Sequence, residues 1–313
     1  MKTFFLALIL ISFNSCYRAT TELITLDFEK DLIPEGIAID SESKTLFLNS
    51  LRKNKIVKCK LNGNSPTEFI ESNQYNYLSG FGMTIKGDTL FALGNSLPKN
   101  SNKSILLLLN IKTGYLINSY SINDSTFIYL NDLAISSNND IYITDSESNK
   151  IYTIQHSSGK LEVFLENDEI AHSNGITVSD DGKYLYLASY KTGIRIVDLK
   201  SKSILNEPNM DFRGIDGMKY YKNSLIAIVN AKRDTNEQGV FRYFLNKNKT
   251  AIIRTEKIIP YGEHFIIPTT FDIIGKHIFY IINTQLDNFN QESNQIIDSN
   301  RLEPYLLMKR KIE

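Results

Sequence analysis

The chain has 313 residues, 42% hydrophobic and 22% charged, which supports a packed core and argues against a disordered chain. Its 35 basic and 35 acidic residues cancel to a formal net charge of +0, which argues against an electrostatic grip on nucleic acid. Trp is absent, so aromatic packing rests on 17 Tyr and 17 Phe.

The first element in chain order is the run MKTFFLALILISFNSC. Lys2 gives it a charged start, and Phe4 to Ile11 is an apolar stretch too short to span a bilayer as a permanent helix. The run closes on small and polar residues before Cys16. It resembles a bacterial lipoprotein signal, with Ser15 before the cut and a lipid on the Cys16 thiol. The expected division is a signal peptide over 1–15, a tether over 16–21 and one domain over 22–313. The expected location is the bacterial cell envelope, lipid-anchored to the membrane and facing the periplasm. With Cys16 lipidated, Cys59 lacks a disulfide partner, and its strand-like setting KIVKCKL reads as a buried structural thiol.

Beyond the tether, short alternating or apolar runs bounded by Gly, Asn, Asp and Ser dominate, which predicts an all-β chain. The most apolar of them, KSILLLLNI, fits a buried strand. Six stretches share one pattern: EGIAIDSESKTLFLNS from Glu35, FGMTIKGDTLFALGNS from Phe81, NDLAISSNNDIYITDS from Asn131, NGITVSDDGKYLYLAS from Asn174, DGMKYYKNSLIAIVN from Asp216 and TTFDIIGKHIFYIIN from Thr269. Each has a leading residue, then usually a Gly, then an alternating strand, a polar turn and a second strand ending in a polar residue. They recur every 42 to 53 residues, leaving room for two more strands each. Four strands per repeat predict a six-bladed β-propeller. The last repeat offers three strands, ending in PYLLMKRKI, and ELITLDF at 22–28 is expected to supply the fourth and close the ring through both termini.

In a propeller the innermost strands line a central channel. Their starting residues, Glu35, Phe81, Asn131, Asn174, Asp216 and Thr269, therefore form a ring at one mouth. Two carboxylates and two carboxamides give hard oxygen ligands with no His or Cys among them, so zinc and copper fit poorly. Two negative charges match a divalent cation, and calcium accepts such a mixed, irregular oxygen set. The expected metal ligands are Glu35, Asn131, Asn174 and Asp216, with Ca2+ or another divalent cation bound. Phe81 and Thr269 complete the ring as expected substrate contacts.

The motifs PEGIAID, LNDLAIS, SNGITVSDDGKYLYLAS and GIDGMKY resemble the calcium-site motifs of the senescence marker protein/gluconolactonase family, and more distantly those of paraoxonases and strictosidine synthase. The resemblance runs from about Pro34 to Asn230 and is poor in the last blade. It implies a six-bladed propeller holding calcium at the channel mouth and hydrolysing small-molecule lactones or related esters. It also implies that Asp216 acts as the catalytic base. The chain departs from the pattern at Phe81 and in the sixth blade, which lacks an acid. Paraoxonases carry a His pair near the metal, whereas here only His172 lies near a motif, and it reads as a loop histidine bonded to backbone.

No G-x-S-x-G elbow and no phosphate-cradling glycine loop occur. NAKRDTNEQG reads as a solvated loop, with Asn230 placed to face the mouth. NTQLDNFNQESNQ reads as a solvated insertion, with a lid or specificity loop as the alternative. The rival to the monomeric hydrolase is a non-catalytic metal-binding propeller that binds a ligand or protein. A third reading is a metal-free scaffold in which the four oxygen-bearing residues only form turns.

Overall fold

The computed structural model describes residues 21–98, 102–123 and 127–313. The expected signal peptide and the lipidation site Cys16 lie outside the described residues. The fold is an all-β six-bladed propeller.

Blade 1 comprises Ile37–Asp40, Thr45–Asn49, Ile56–Lys60 and Thr67–Ile70. Blade 2 comprises Ser79–Lys86, Thr89–Asn95, Lys103–Asn110 and Leu116–Asn123. Blade 3 comprises Leu130–Ile135, Ile141–Asp145, Lys150–Ile154 and Leu161–Glu166. Blade 4 has Ser173–Val178, Tyr184–Ser189 and Gly193–Asp198. Blade 5 comprises Ile215–Tyr220, Ser224–Val229, Gly239–Leu245 and Ile252–Pro260. Blade 6 takes Asp272–Ile274, His277–Ile281 and Tyr305–Lys311 from the end of the chain and Thr21–Leu26 as its outermost strand.

The blade-6 register matches the expected closure. Thr21 pairs with Arg310 and Leu26 with Tyr305, all antiparallel. Leu26, Tyr305 and Leu307 are fully buried, and they join an apolar cluster with Ile37, Leu48 and Val57 of blade 1. Each neighbouring pair of blades encloses such a cluster, so the core is six apolar wedges rather than one centre. Tight packing of side chains from facing sheets is what burial of alternating strands demands.

Blade 4 departs from the four-strand expectation. After Asp198 the chain makes only an isolated bridge, Val197 to Ile204. Asn206 then completes the edge with its side chain, accepting from Ile196 N at 2.7 Å and donating to the Ile194 carbonyl at 2.8 Å. The carboxamide imitates a peptide of the missing strand. Cys59 is buried and free, as expected, and burial pushes its thiol up to about 12.

Candidate metal centre

The inner strands of blades 2 to 5 share one irregularity at the mouth. Pairing with the second strand breaks between Gly80 and Met83, Leu130 and Leu133, Ser173 and Ile176, and Ile215 and Met218. The residues inside each break include the ring residue and its follower: Phe81 and Gly82, Asn131 and Asp132, Asn174 and Gly175, Asp216 and Gly217. A bulge leaves its residues out of the ladder and re-aims their side chains. The follower is Gly for a steric reason at Gly175, where a Cβ would collide with the Asp216 carbonyl oxygen of the next blade.

All six ring residues are 3–8% exposed, so they line a tight recess rather than an open bowl. Asn174 and Asp216 meet directly, with Asn174 Nδ2 donating to Asp216 Oδ1 at 2.9 Å and to the Tyr190 hydroxyl at 3.2 Å. Asn230, at the end of the second strand of blade 5, donates to Asp216 Oδ2 at 2.7 Å and to the Pro268 carbonyl at 2.8 Å. Both carboxylate oxygens of Asp216 are thereby oriented by amides from two blades. Glu35 is tied to blade 6, its backbone carbonyl accepting from Thr269 Oγ1 at 2.8 Å and Thr270 Oγ1 at 2.7 Å. The Thr269 hydroxyl thus serves the ring's own backbone. Phe81 packs edge-on against Tyr129, centroids 4.6 Å apart, and makes this side of the ring apolar.

Three buried ring oxygens are left without a protein partner: Glu35 Oε2, Asn131 Oδ1 and Asn174 Oδ1. Buried acceptors normally find donors, so three on one ring are a concentrated debt of polar interaction. The Asn174 amide nitrogen is fixed by its bonds to Asp216 and Tyr190, so its oxygen is the free end. The donor set is oxygen only and fits a hard divalent cation. It holds two carboxylates, and no group of three or more His, Cys, Asp or Glu is gathered as a metal site among the described residues.

The electrostatics match that chemistry. Burial, then the Asp216 and Asp132 carboxylates, hold Glu35 well above the usual carboxylate range. Burial raises Asp216 to about 7 against the lowering effect of the Asn230 and Asn174 amides, with Asp132 adding repulsion. Asp132 is pushed up to about 6 by burial, opposed by the Lys219 charge and by the backbone N–H groups of Leu133 and Ile176. The Asp216 and Asp132 charges raise Glu35, and Asp132 raises Asp216, which is repulsion of the kind a bound cation relieves. Lys219 itself lies 3.8 Å from Asp272.

Asp132 is the residue that sequence reasoning passed over. It occupies a follower position where four of the six stretches carry Gly. Its carboxylate instead accepts the N–H of Leu133 at 2.8 Å and that of Ile176 in the next blade. His172 is exposed, and its Nδ1 bonds the Ser146 carbonyl at 2.9 Å, the backbone engagement expected of it. The insertion after Asn283 differs from a purely solvated loop. It forms a short hairpin, Phe289–Asn290 with Gln295–Ile296, and Leu286, Phe289 and Ile296 join the apolar cluster that contains Phe81. A cavity of about 640 Å³ opens between blades 1 and 2, lined by Asp40, Lys58, Cys59 and Lys112 and by none of the ring residues.

No family model and no curated protein matches the chain. Solved structures do. A luciferin-regenerating enzyme aligns over 93% of this chain and 95% of its own, with 14% identity and a TM-score of 0.61. A gluconolactonase from Xanthomonas campestris aligns over 93% and 89%, with 12% identity and a TM-score of 0.59. A PQQ-bound aldose sugar dehydrogenase from Streptomyces coelicolor aligns over 94% and 98%, with 12% identity and a TM-score of 0.63. These neighbours carry different chemistries on similar backbones, so what this chain shares with them is the fold.

Proposed function

We propose that the ring binds a divalent cation, calcium first, and that the protein is a metal-dependent hydrolase of lactones or related esters. The observation that carries the reading is the set of three unpartnered buried oxygens on Glu35, Asn131 and Asn174 beside the oriented Asp216 carboxylate. A gluconolactonase among the structural neighbours supports it by analogy of fold. Glu35, Asn131, Asn174 and Asp216 would hold the cation. When bound, it supplies Lewis-acid polarisation of a carbonyl oxygen. Asp216 holds or accepts the proton of an attacking water, in a position fixed by Asn174 and Asn230. Phe81 and Tyr129 give the mouth an apolar side against which a substrate's hydrocarbon part can rest. Lipid anchoring through Cys16 at an envelope membrane remains part of the proposal.

The test is hydrolysis of a panel of small lactones by the full chain in calcium, in excess chelator, and after calcium is restored. The expected result is turnover that disappears with chelator and returns with calcium. Equal turnover in chelator would overturn the metal-dependent reading.

A second reading, a non-catalytic metal-binding propeller, is favoured by the sixth blade. Thr269 and Thr270 stand there where an acid would strengthen the site, and both hydroxyls bond Glu35 backbone. That reading predicts cation-dependent stability with no turnover on any lactone.

A further inference from the structure

The molecule is neutral overall, but its two ends are not. Inner strands start at the mouth, so the turns joining first to second and third to fourth strands lie at the far end. Those turns hold ten lysines against five acidic residues. The mouth loops, among the described residues, hold nine Lys and Arg against seventeen Asp and Glu. Three of the five far-end acids are already engaged. Asp88 pairs with Lys112 at 2.9 Å, and Asp180 and Asp181 both pair with Lys249. Lys44, Lys160, Lys200, Lys202, Lys247 and Lys276 are exposed and have no ion pair among the described residues. They come from five of the six blades, so the positive charge covers the whole end.

The chain enters the propeller at this same end. Thr21 pairs with Arg310, and Lys311 pairs with His277, next to the turn that carries Lys276. Leu26, at the other end of that outer strand, pairs with Tyr305, whose hydroxyl donates to the Lys30 carbonyl on the approach to Glu35. The outer strand therefore runs from the far end to the mouth. Residues 17–20 separate Cys16 from Thr21, and five Cα–Cα steps reach about 18 Å at most.

We propose that the lysine-bearing far end is a docking surface for an anionic lipid membrane, so that the ring faces away from the bilayer. Charge complementarity selects this face, and the entry point of the chain selects the same face if Cys16 carries the lipid anchor proposed above. Each lysine near an anionic surface strengthens attachment about fivefold, and the effect fades within a Debye length, so spread over one flat end the lysines act together. The acidic mouth end is repelled by the same surface and left open to cations and substrate.

The experiment is lysine acetylation footprinting of the full chain, read by mass spectrometry. It is run on vesicles of phosphatidylcholine with about one-third phosphatidylglycerol, on pure phosphatidylcholine vesicles, and in solution. The expected result on anionic vesicles is protection of Lys44, Lys160, Lys200, Lys202, Lys247 and Lys276 by about fivefold or more. Mouth lysines such as Lys30 and Lys191 keep their solution reactivity, and half-molar salt removes the far-end protection. The triple variant Lys200→Gln, Lys202→Gln, Lys276→Gln should lose the protection at Lys44, Lys160 and Lys247 while keeping its melting temperature. Protection of the mouth lysines instead, equal protection on neutral vesicles, or no protection at all would each overturn the proposal.

Discussion

Asp216 is the residue on which the site's behaviour turns. Its carboxyl is pushed up to about 7 by burial, so the folded chain keeps a proton that an unfolded Asp releases near 4. Glu35 is raised as well. Between about pH 4 and 7 the cation-free folded state binds more protons than the unfolded one, so its stability falls as pH rises through that window. A cation bound at the ring would compete with those protons. Calcium affinity is therefore expected to rise steeply from pH 5 to 8, which calorimetric titration at stepped pH reads directly; an affinity flat across that range would count against Asp216 as a ligand. Asn230 touches Asp216 but is not expected to touch the cation. Asn230→Ala should weaken cation binding by about ten- to a hundredfold while leaving a folded protein, since it removes the amide that orients Asp216 and one bond to the Pro268 carbonyl. Gly175→Ala should cost about 1–3 kcal/mol in urea unfolding, because its Cβ meets the Asp216 carbonyl of the next blade. The ring residues were legible in sequence because each leads a repeat. Asp132 was not flagged, although its substitution for Gly was visible, because a turn pair such as Asn-Asp reads as ordinary loop chemistry until the bulge is seen.

Elements carry the next layer. The alternation of apolar residues marked the inner and second strands of every blade, and the third strand Lys103–Asn110 was plain from its apolar run. The bulges were hidden, since they add residues without breaking the alternation on either side. The outer edge of blade 4 was hidden for the opposite reason. LKSKSILNEP lacks a strand pattern, and the Asn206 carboxamide, with the backbone bonds Asp198 N–H to Ser203 and Leu205 N–H to Ile196, takes the place of the missing ladder. Asn206→Ala should cost about 1–3 kcal/mol, because two backbone groups lose their partners. The hairpin after Asn283 is anchored by Phe289, which is buried in the cluster that holds Phe81. Phe289→Ala should lower stability by about 3–5 kcal/mol in chemical denaturation, with calcium affinity unchanged. A matching loss of calcium affinity would mean that the hairpin shapes the ring itself.

At the scale of the whole molecule, closure and polarity are the two consequences of the sequence. The chain begins its propeller with the outer strand of the blade it finishes with, so Thr21–Leu26 covers an edge that Tyr305–Lys311 would otherwise expose. Closure was legible because the last repeat was short by one strand and a strand-like run stood alone ahead of the first. The charge polarity was not, since it depends on which turns share an end, and a net charge of +0 conceals it. The cation site proposed at the ring rests on oxygens that have no protein partner. The most direct measurement is calorimetric titration of calcium into chelator-treated full-length protein at pH 7.5, beside the Asn174→Ala variant. One site per chain is expected in the parent and none in the variant. Absence of binding in the parent, or unchanged binding in Asn174→Ala, would contradict it and leave the ring as a set of turn-forming residues.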